Sequence, residues 1–329
     1  MNLLNVLDQP CAFKLVYDPS DHYVNDHCLI RDAAGEWHLF YIYFPRDNRR
    51  TKAGRYEYGI GHAVSRDLLA WRFVDIVLRE VPGTWEGGAI YAPYVAQAPN
   101  GRYVMLYCGS SETESQQIGA ALSDDLYKWD KFPGNPILRP SDAWANWTPK
   151  TYYSCRDAHV LRLDSGEYLC YYTAQTKDPD ICCIAAASST DLLHWNDRGP
   201  VFTAGLDLRG PGQARMESPG VFRIPSTNTF LLHVTHRWGV VFVRSADPLH
   251  FTGEPQRLGP YHASEIFCDE TTGKWFITSC CHNLGALVRP GDPHAGLIGA
   301  AGRGLFLAGL TWIDDEPVVV DLQRHLTIS

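Results

Sequence analysis

Apolar residues along the chain come in short runs broken by turn-forming residues, and the breaks recur. Five times a Gly- or Asn-containing turn leads into a run that opens on an aromatic: AAGEWHLFYIY, PNGRYVMLYCG, DSGEYLCYYTA, STNTFLLHVT and TTGKWFITSC. The aromatics are Trp37, Tyr103, Tyr168, Phe230 and Trp275. Short apolar runs bounded by such turns predict strands joined as hairpins. Another short apolar run precedes each turn: HCLIRD, YVAQAP, HVLRLD, VFRIPS and EIFCDE. A third motif follows: SRDLLAW from Ser65, SDDLYKW from Ser123, STDLLHW from Ser189 and the weaker SADPLHF from Ser245, spaced 58, 66 and 56 residues apart. Its Ser and Asp are expected to cap a turn and its Trp to pack between units. Each unit then reads as four strands. Five such units predict an all-β, five-bladed β-propeller with four-stranded antiparallel blades, one domain over residues 1–329.

In a propeller the first strand of every blade lines the central channel, and all run the same way. Their entrances gather at one end. Counting back eleven residues from each aromatic gives Asp26, Ala92, Asp157, Pro219 (two past Glu217) and Ser264 (beside Glu265). Asp26, Asp157 and Glu217, far apart in sequence, are therefore expected to meet in one axial pocket. Carboxylates confined together and partly buried raise one another's pKa, so one stays ionised while another holds a proton. That division suits cleavage of a glycosidic bond. Arg156 either holds its neighbour Asp157 ionised or, since adjacent strand side chains alternate faces, braces the blade interface.

Composition narrows the classes. A net charge of −8 without a Lys/Arg run argues against a nucleic-acid partner. No apolar run is long enough to span a bilayer, and the N-terminus lacks a secretory pattern. The 10 cysteines include two adjacent pairs and no CxxC spacing. That fits neither a zinc site nor a disulfide framework and favours reduced thiols in the cytoplasm. No metal and no cofactor are expected; the expected partner is a carbohydrate.

At the three acids the sequence resembles glycoside hydrolase family 32, the β-fructofuranosidases. YVNDH (Tyr23–His27) is similar to the family's W-x-N-D-P, CRDAH (Cys155–His159) to R-D-P, and MESPG (Met216–Gly220) to E-C-P. YGIGHAVSRDLLAW is similar to its G-H-A-x-S-x-D-L-x-x-W segment, and YHASEIF falls where the family has aromatic–Ala–x–Gln. The resemblance implies a nucleophile at Asp26, a transition-state stabiliser at Asp157, a general acid/base at Glu217, and Asn25 and Arg156 holding the sugar ring. Tyr23, His27, Ala158 and Ser218 depart from its motifs, which bears on the exact sugar. The family usually carries a C-terminal β-sandwich; here the fifth blade consumes the chain. A lone propeller is more typical of the related family 43, arabinofuranosidases and xylosidases that invert configuration and often hold a channel cation near a histidine. His262 is the residue for that part, or a histidine hydrogen-bonded inside the channel.

Further binding candidates are aromatic. Trp85 and Tyr91, with Tyr94, offer a stacking platform or blade packing, and the same two readings apply to His236 and Trp238. Glu265 stands at the fifth entrance. The Gly/Pro-rich segment Gly285 to Gly304 reads as a long connection within blade five. The expected function is hydrolysis of a furanoside, foremost a β-fructofuranoside, with retention. Asp26 and Glu217 should then stand about 5–5.5 Å apart, against about 6.5–9.5 Å for an inverting enzyme. The alternatives are an inverting family-43-like enzyme and a carbohydrate-binding propeller without catalysis.

Overall fold

The computed structural model describes residues 12–47, 57, 59–148, 154–178, 181–204, 216–225, 227–236, 239–259, 261–282 and 303–327. Trp238 and residues 285–302 of the Gly/Pro-rich segment lie outside them.

Strand β1 (Lys14–Tyr17) leads into five antiparallel sheets. Blade 1 holds β2 (His22–Arg31), β3 (Trp37–Pro45), β4 (Gly59–Ser65) and β5 (Arg72–Arg79). Blade 2 holds β6 (Ala89–Gln97), β7 (Tyr103–Ser110), β8 (Gln117–Ser123) and β9 (Asp130–Lys131). Blade 3 holds β10 (Arg156–Arg162), β11 (Tyr168–Gln175), β12 (Cys182–Ser189) and β13 (Asn196–Ala204), and blade 4 holds β14 (Glu217–Arg223), β15 (Phe230–His236), β16 (Gly239–Ser245) and β17 (Gln256–Gly259). In blade 5 the inner strand is split into β18 (Tyr261–His262) and β19 (Ile266–Asp269), both pairing with β20 (Lys274–His282). Next comes β21 (Arg303–Ile313), then β22 (Glu316–Val320) and the short helix α1 (Leu322–Thr327).

Blade 5 departs from the four-strand expectation at its outer edge. There β21 pairs with β1 through Leu305 to Leu307 and with β22 through Gly309 to Ile313. The first strand among the described residues thus completes blade 5 and closes the ring. The inner strands stand side by side: β2 against β6, β6 against β10, β10 against β14. Between blades run apolar seams such as Leu106, Ile118, Cys155, Val160, Tyr172 and Ala185, all buried. The third strands Gly59–Ser65 and Cys182–Ser189 are buried throughout. Glycines leave room for aromatics there: Gly61 lies against Tyr41, and Gly119 in β8 against Trp85 and Tyr107.

The Ser-x-Asp-Leu turns are structural, as expected. In the first, Asp67 Oδ1 accepts the backbone N–H groups of Leu69 and Ala70 at 2.9 and 2.8 Å, and Trp71 Nε1 donates to the Leu68 carbonyl at 3.0 Å. The same bonds recur at Asp125 with Trp129 and at Asp191 with Trp195. Leu68, Leu126 and Leu192 hold left-handed φ of 65°, 65° and 68°. That conformation is unfavourable for a leucine; the cap and the burial of each side chain offset the strain. Pro248 fills the leucine position in the fourth copy, and its ring forbids a positive φ.

Candidate active site

The acids are delivered by β-bulges. In β6, β10 and β14 the ladder slips between Tyr91 and Tyr94, Arg156 and His159, and Glu217 and Gly220. In β2 it slips between Val24 and His27. Each bulge sets two residues opposite one and re-aims them toward the axis. Ala92, Asp157 and Ser218 adopt φ of 50°, 58° and 50° there, and Ala263, in the break between β18 and β19, adopts 47°. Non-glycine residues in this region are strained, and they cluster where the surroundings over-determine them. The bulge also settles the position of Arg156. Strict alternation would send it and Asp157 to opposite faces; instead both turn to the same pocket.

The three acids meet, although not at one ladder position. Measured from the hairpins, Asp26, Ala92, Asp157, Ser218 and Ala263 correspond, and Glu217 matches Arg156 one residue earlier. The constant offset of eleven misses this because the turn between Arg223 and Phe230 is one residue longer than that between Arg162 and Tyr168. Arg156 joins two acids: its Nε lies 3.2 Å from Asp157 Oδ2, and its Nη2 donates to Glu217 Oε2. The Ser218 N–H donates to Asp157 Oδ2 at 3.0 Å, its hydroxyl lies 3.5 Å from Asp26 Oδ2, and the Thr173 hydroxyl donates to Asp157 at 3.2 Å. Burial pushes the Asp157 carboxyl above the ordinary carboxylate range; the Arg156 charge opposes this and the Asp26 charge adds to it. His262 Nδ1 stands 3.8 Å from Glu217 Oε1, which is half-buried.

Below the acids the cavity, about 340 Å³ with its solvent-open part, is lined by Asp26, His27, Tyr94, Asp157, His159, Ser264 and Glu265 among others. His159 Nε2 lies 2.9 Å from the Val221 carbonyl, so it carries the proton and leaves Nδ1 bare, 3.9 Å from Glu265 Oε1. Burial pushes Glu265 up to about 8, so it is a neutral acid at pH 7. His27 bridges two blades. Its Nδ1 donates to the Asn25 carbonyl at 3.2 Å, and its Nε2 accepts from the Thr278 hydroxyl at 2.7 Å. Burial pushes His27 and His159 down to about 4, keeping both neutral.

Other candidates fall elsewhere. Trp85 does not line this cavity. It lies against Gly109, where an added Cβ would be 2.5 Å from the indole, and it stacks on Tyr107. Its open side borders a separate groove with Ser111, Glu112 and Glu114. Tyr91 is buried against Ile42 and Cys108, and its hydroxyl accepts from Gln116. His236 ends β15, buried, and does not line the cavity. Asn25 sits in the β2 bulge, and its Oδ1 accepts from Cys280 Sγ at 3.2 Å. The bridging roles of Ser218, Thr173 and Thr278 escaped sequence reasoning. Only their proximity to the motif acids, and then only for Ser218, could have signalled one.

Residues 17–274 match the model of the glycosyl hydrolases family 32 N-terminal domain. The chain belongs to glycosyl hydrolase family 32. Among curated relatives of this family 32 chain, acid beta-fructofuranosidase 4, vacuolar, from Arabidopsis thaliana is 34% identical over 134 residues, 38% of this chain and 18% of the relative. Invertase from Schizosaccharomyces pombe is 27% identical over 238 residues, 66% of this chain and 37% of the relative. Among solved structures, fructan 1-exohydrolase IIa from Cichorium intybus superposes with a TM-score of 0.70 at 19% identity, over 96% of this chain and 62% of that one. A thermostable family-43 glycoside hydrolase superposes at 0.68 and 13% identity, over 91% and 93% of the two chains. The family 32 chain therefore spans well under half of either curated relative, and its likeness to the solved structures is one of fold.

Proposed function

We propose that this family 32 chain cleaves a β-fructofuranoside with retention of configuration. Asp26 attacks the anomeric carbon and expels the leaving oxygen, which takes a proton from Glu217. Water, deprotonated by Glu217, then releases the sugar from Asp26. Asp157, Arg156 and Asn25 hold the ring hydroxyls, and Asp157 steadies the positive charge that builds at the anomeric centre. One observation carries this reading. Arg156 ties Asp157 to Glu217, and Ser218 ties Asp157 to Asp26, so the acids form a single unit at the mouth of the cavity.

Both hydrolases and a sucrose:sucrose 1-fructosyltransferase occur among the relatives. In solved neighbours, 1-kestose or sucrose is the bound sugar. Short fructosides are thus the first substrates to offer this chain. Among the described residues no helix is long and apolar enough to cross a membrane. Buried thiols such as Cys108, Cys155 and Cys170 suit a reducing compartment, the cytoplasm.

The test is a panel of sucrose, fructo-oligosaccharides and nitrophenyl furanosides with every product identified. Release of fructose is expected. Turnover of arabinofuranosides alone would reject the substrate. Fructose carries no hydrogen at C2, so carbon NMR of the first-formed product reads the stereochemistry; an inverted product would reject the Asp26 nucleophile.

A further inference from the structure

The sequence shows no ligand spacing for a metal, yet the fold assembles mixed donors beside the acids. The Asp26 carboxylate from β2, the His262 imidazole from β18 and the Cys280 thiol from β20 offer three ligand atoms that all lie within 4.8 Å of one another. We propose that these residues form a site for a thiophilic divalent cation of the Zn²⁺ class, and that the bound ion switches the pocket off by occupying Asp26.

The donor set decides the class of ion. One oxygen, one nitrogen and one sulfur suit a borderline-soft cation, whereas Ca²⁺ and Mg²⁺ prefer oxygen throughout. Zinc bonds of about 2.0–2.3 Å in a tetrahedron place ligand atoms roughly 3.5 Å apart. A donor pair at the 4.8 Å limit therefore has to close by about 1.3 Å. Access comes from the pocket side: Asp26 lines the cavity and His262 is partly exposed, while Cys280 is buried behind them. A fourth position is left for water or a sugar hydroxyl.

Cys280 also differs from the cysteines packed as small hydrophobes. Its sulfur lies 3.2 Å from Asn25 Oδ1 and 3.6 Å from the His262 carbonyl, so the thiol faces the pocket residues, and a bound ion would take the place of its proton. His262 is the neighbour of Glu217, so an ion on its imidazole perturbs a second acid of the pocket. The inhibition, though not the binding, rests on the proposed role of Asp26.

The experiment uses the whole chain, reduced and stripped with chelator, titrated with Zn²⁺ alone by calorimetry and with Co²⁺ by absorption spectroscopy. A single equivalent should bind, Co²⁺ should give a thiolate-to-metal charge-transfer band, and Cys280→Ser should lose the band and weaken Zn²⁺ by about tenfold or more. Sucrose turnover should fall in step with Zn²⁺ occupancy and return with EDTA. No uptake of Zn²⁺, or Co²⁺ bound by the unaltered chain without the thiolate band, overturns the site, and the second of these needs no variant to fold. Full occupancy with undiminished turnover overturns the switch. Asp26→Asn that still hydrolyses sucrose removes the catalytic reading instead, leaving the thiolate band to judge the site.

Discussion

Replacing Glu265 by Gln should stabilise the protein, and the gain should grow with pH. The carboxyl has an ordinary value of 4.5 and is pushed up to about 8 by burial at the cavity floor. Between those values the unfolded chain has lost the proton that the folded chain keeps. Folding then takes up a proton, and stability falls as pH rises from about 4.5 through about 8. At pH 7 roughly 2.5 pH units of that gap are felt, about 3 kcal/mol; at pH 5 it is about 1 kcal/mol. Glutamine keeps the shape and a hydrogen-bond donor toward the bare Nδ1 of His159 without ionising. Urea unfolding of both proteins at pH 5 and pH 7 measures the difference, and comparing variant with parent cancels every other titrating group. A gain of about 2 kcal/mol more at pH 7 than at pH 5 is expected. An equal difference at both pH values would refute the reasoning, because the carboxyl would then not be held neutral by the fold.

Other outcomes follow from the same geometry. Asp26→Asn and Glu217→Gln should each lower kcat by several orders of magnitude while leaving thermal unfolding nearly unchanged, since each removes a reacting group and little packing; near-normal turnover in either would dismiss that residue. His159 sits at about 4 against an ordinary 6.5, so its contribution to stability is present above pH 6.5 and lost as pH falls toward 4, about 2 kcal/mol by pH 5. His159→Gln should narrow the parent's stability advantage by that amount between pH 7 and pH 5, read by urea unfolding. Gly220→Ala would set a Cβ 2.1 Å from His233 Nε2, inside a buried seam, and should cost about 1–3 kcal/mol in the same assay.

The sequence carried the blade count because its signals are local. An aromatic after a hairpin turn and a Ser-x-Asp-Leu cap each act within a few residues, and they recur intact down the chain. Asp26 and Asp157 were legible for the same reason: each sits at the same place relative to its own hairpin. Exact equivalence failed at Glu217, which lies one ladder position before them, while one added turn residue shifts the count by one more. The bulges left no pattern, since alternation continues on either side of them, and so the shared orientation of Arg156 and Asp157 was not readable. The cavity floor was equally hidden. Thr278 bonds His27 across 251 residues, and Glu265 acquires its proton from burial, a property of the closed ring. Trp85 misled because an aromatic beside glycines reads alike whether it faces a sugar or lies flat on strands.

Ring closure by β1 has a consequence for folding. Lys14 pairs with Leu307, so the clasp joins two strands nearly three hundred residues apart in sequence. Blade 5, which supplies Thr278, His262 and Glu265 to the pocket, lacks part of its outer edge until that pairing forms. Contacts of such sequence separation form slowly, because a long loop must first close. A chain halted before Leu307 would carry all three acids and still lack the clasp that seats them. Closure of the ring is thus the slow pairing, and until it forms Lys14–Tyr17 is an open edge strand, available to pair with another chain.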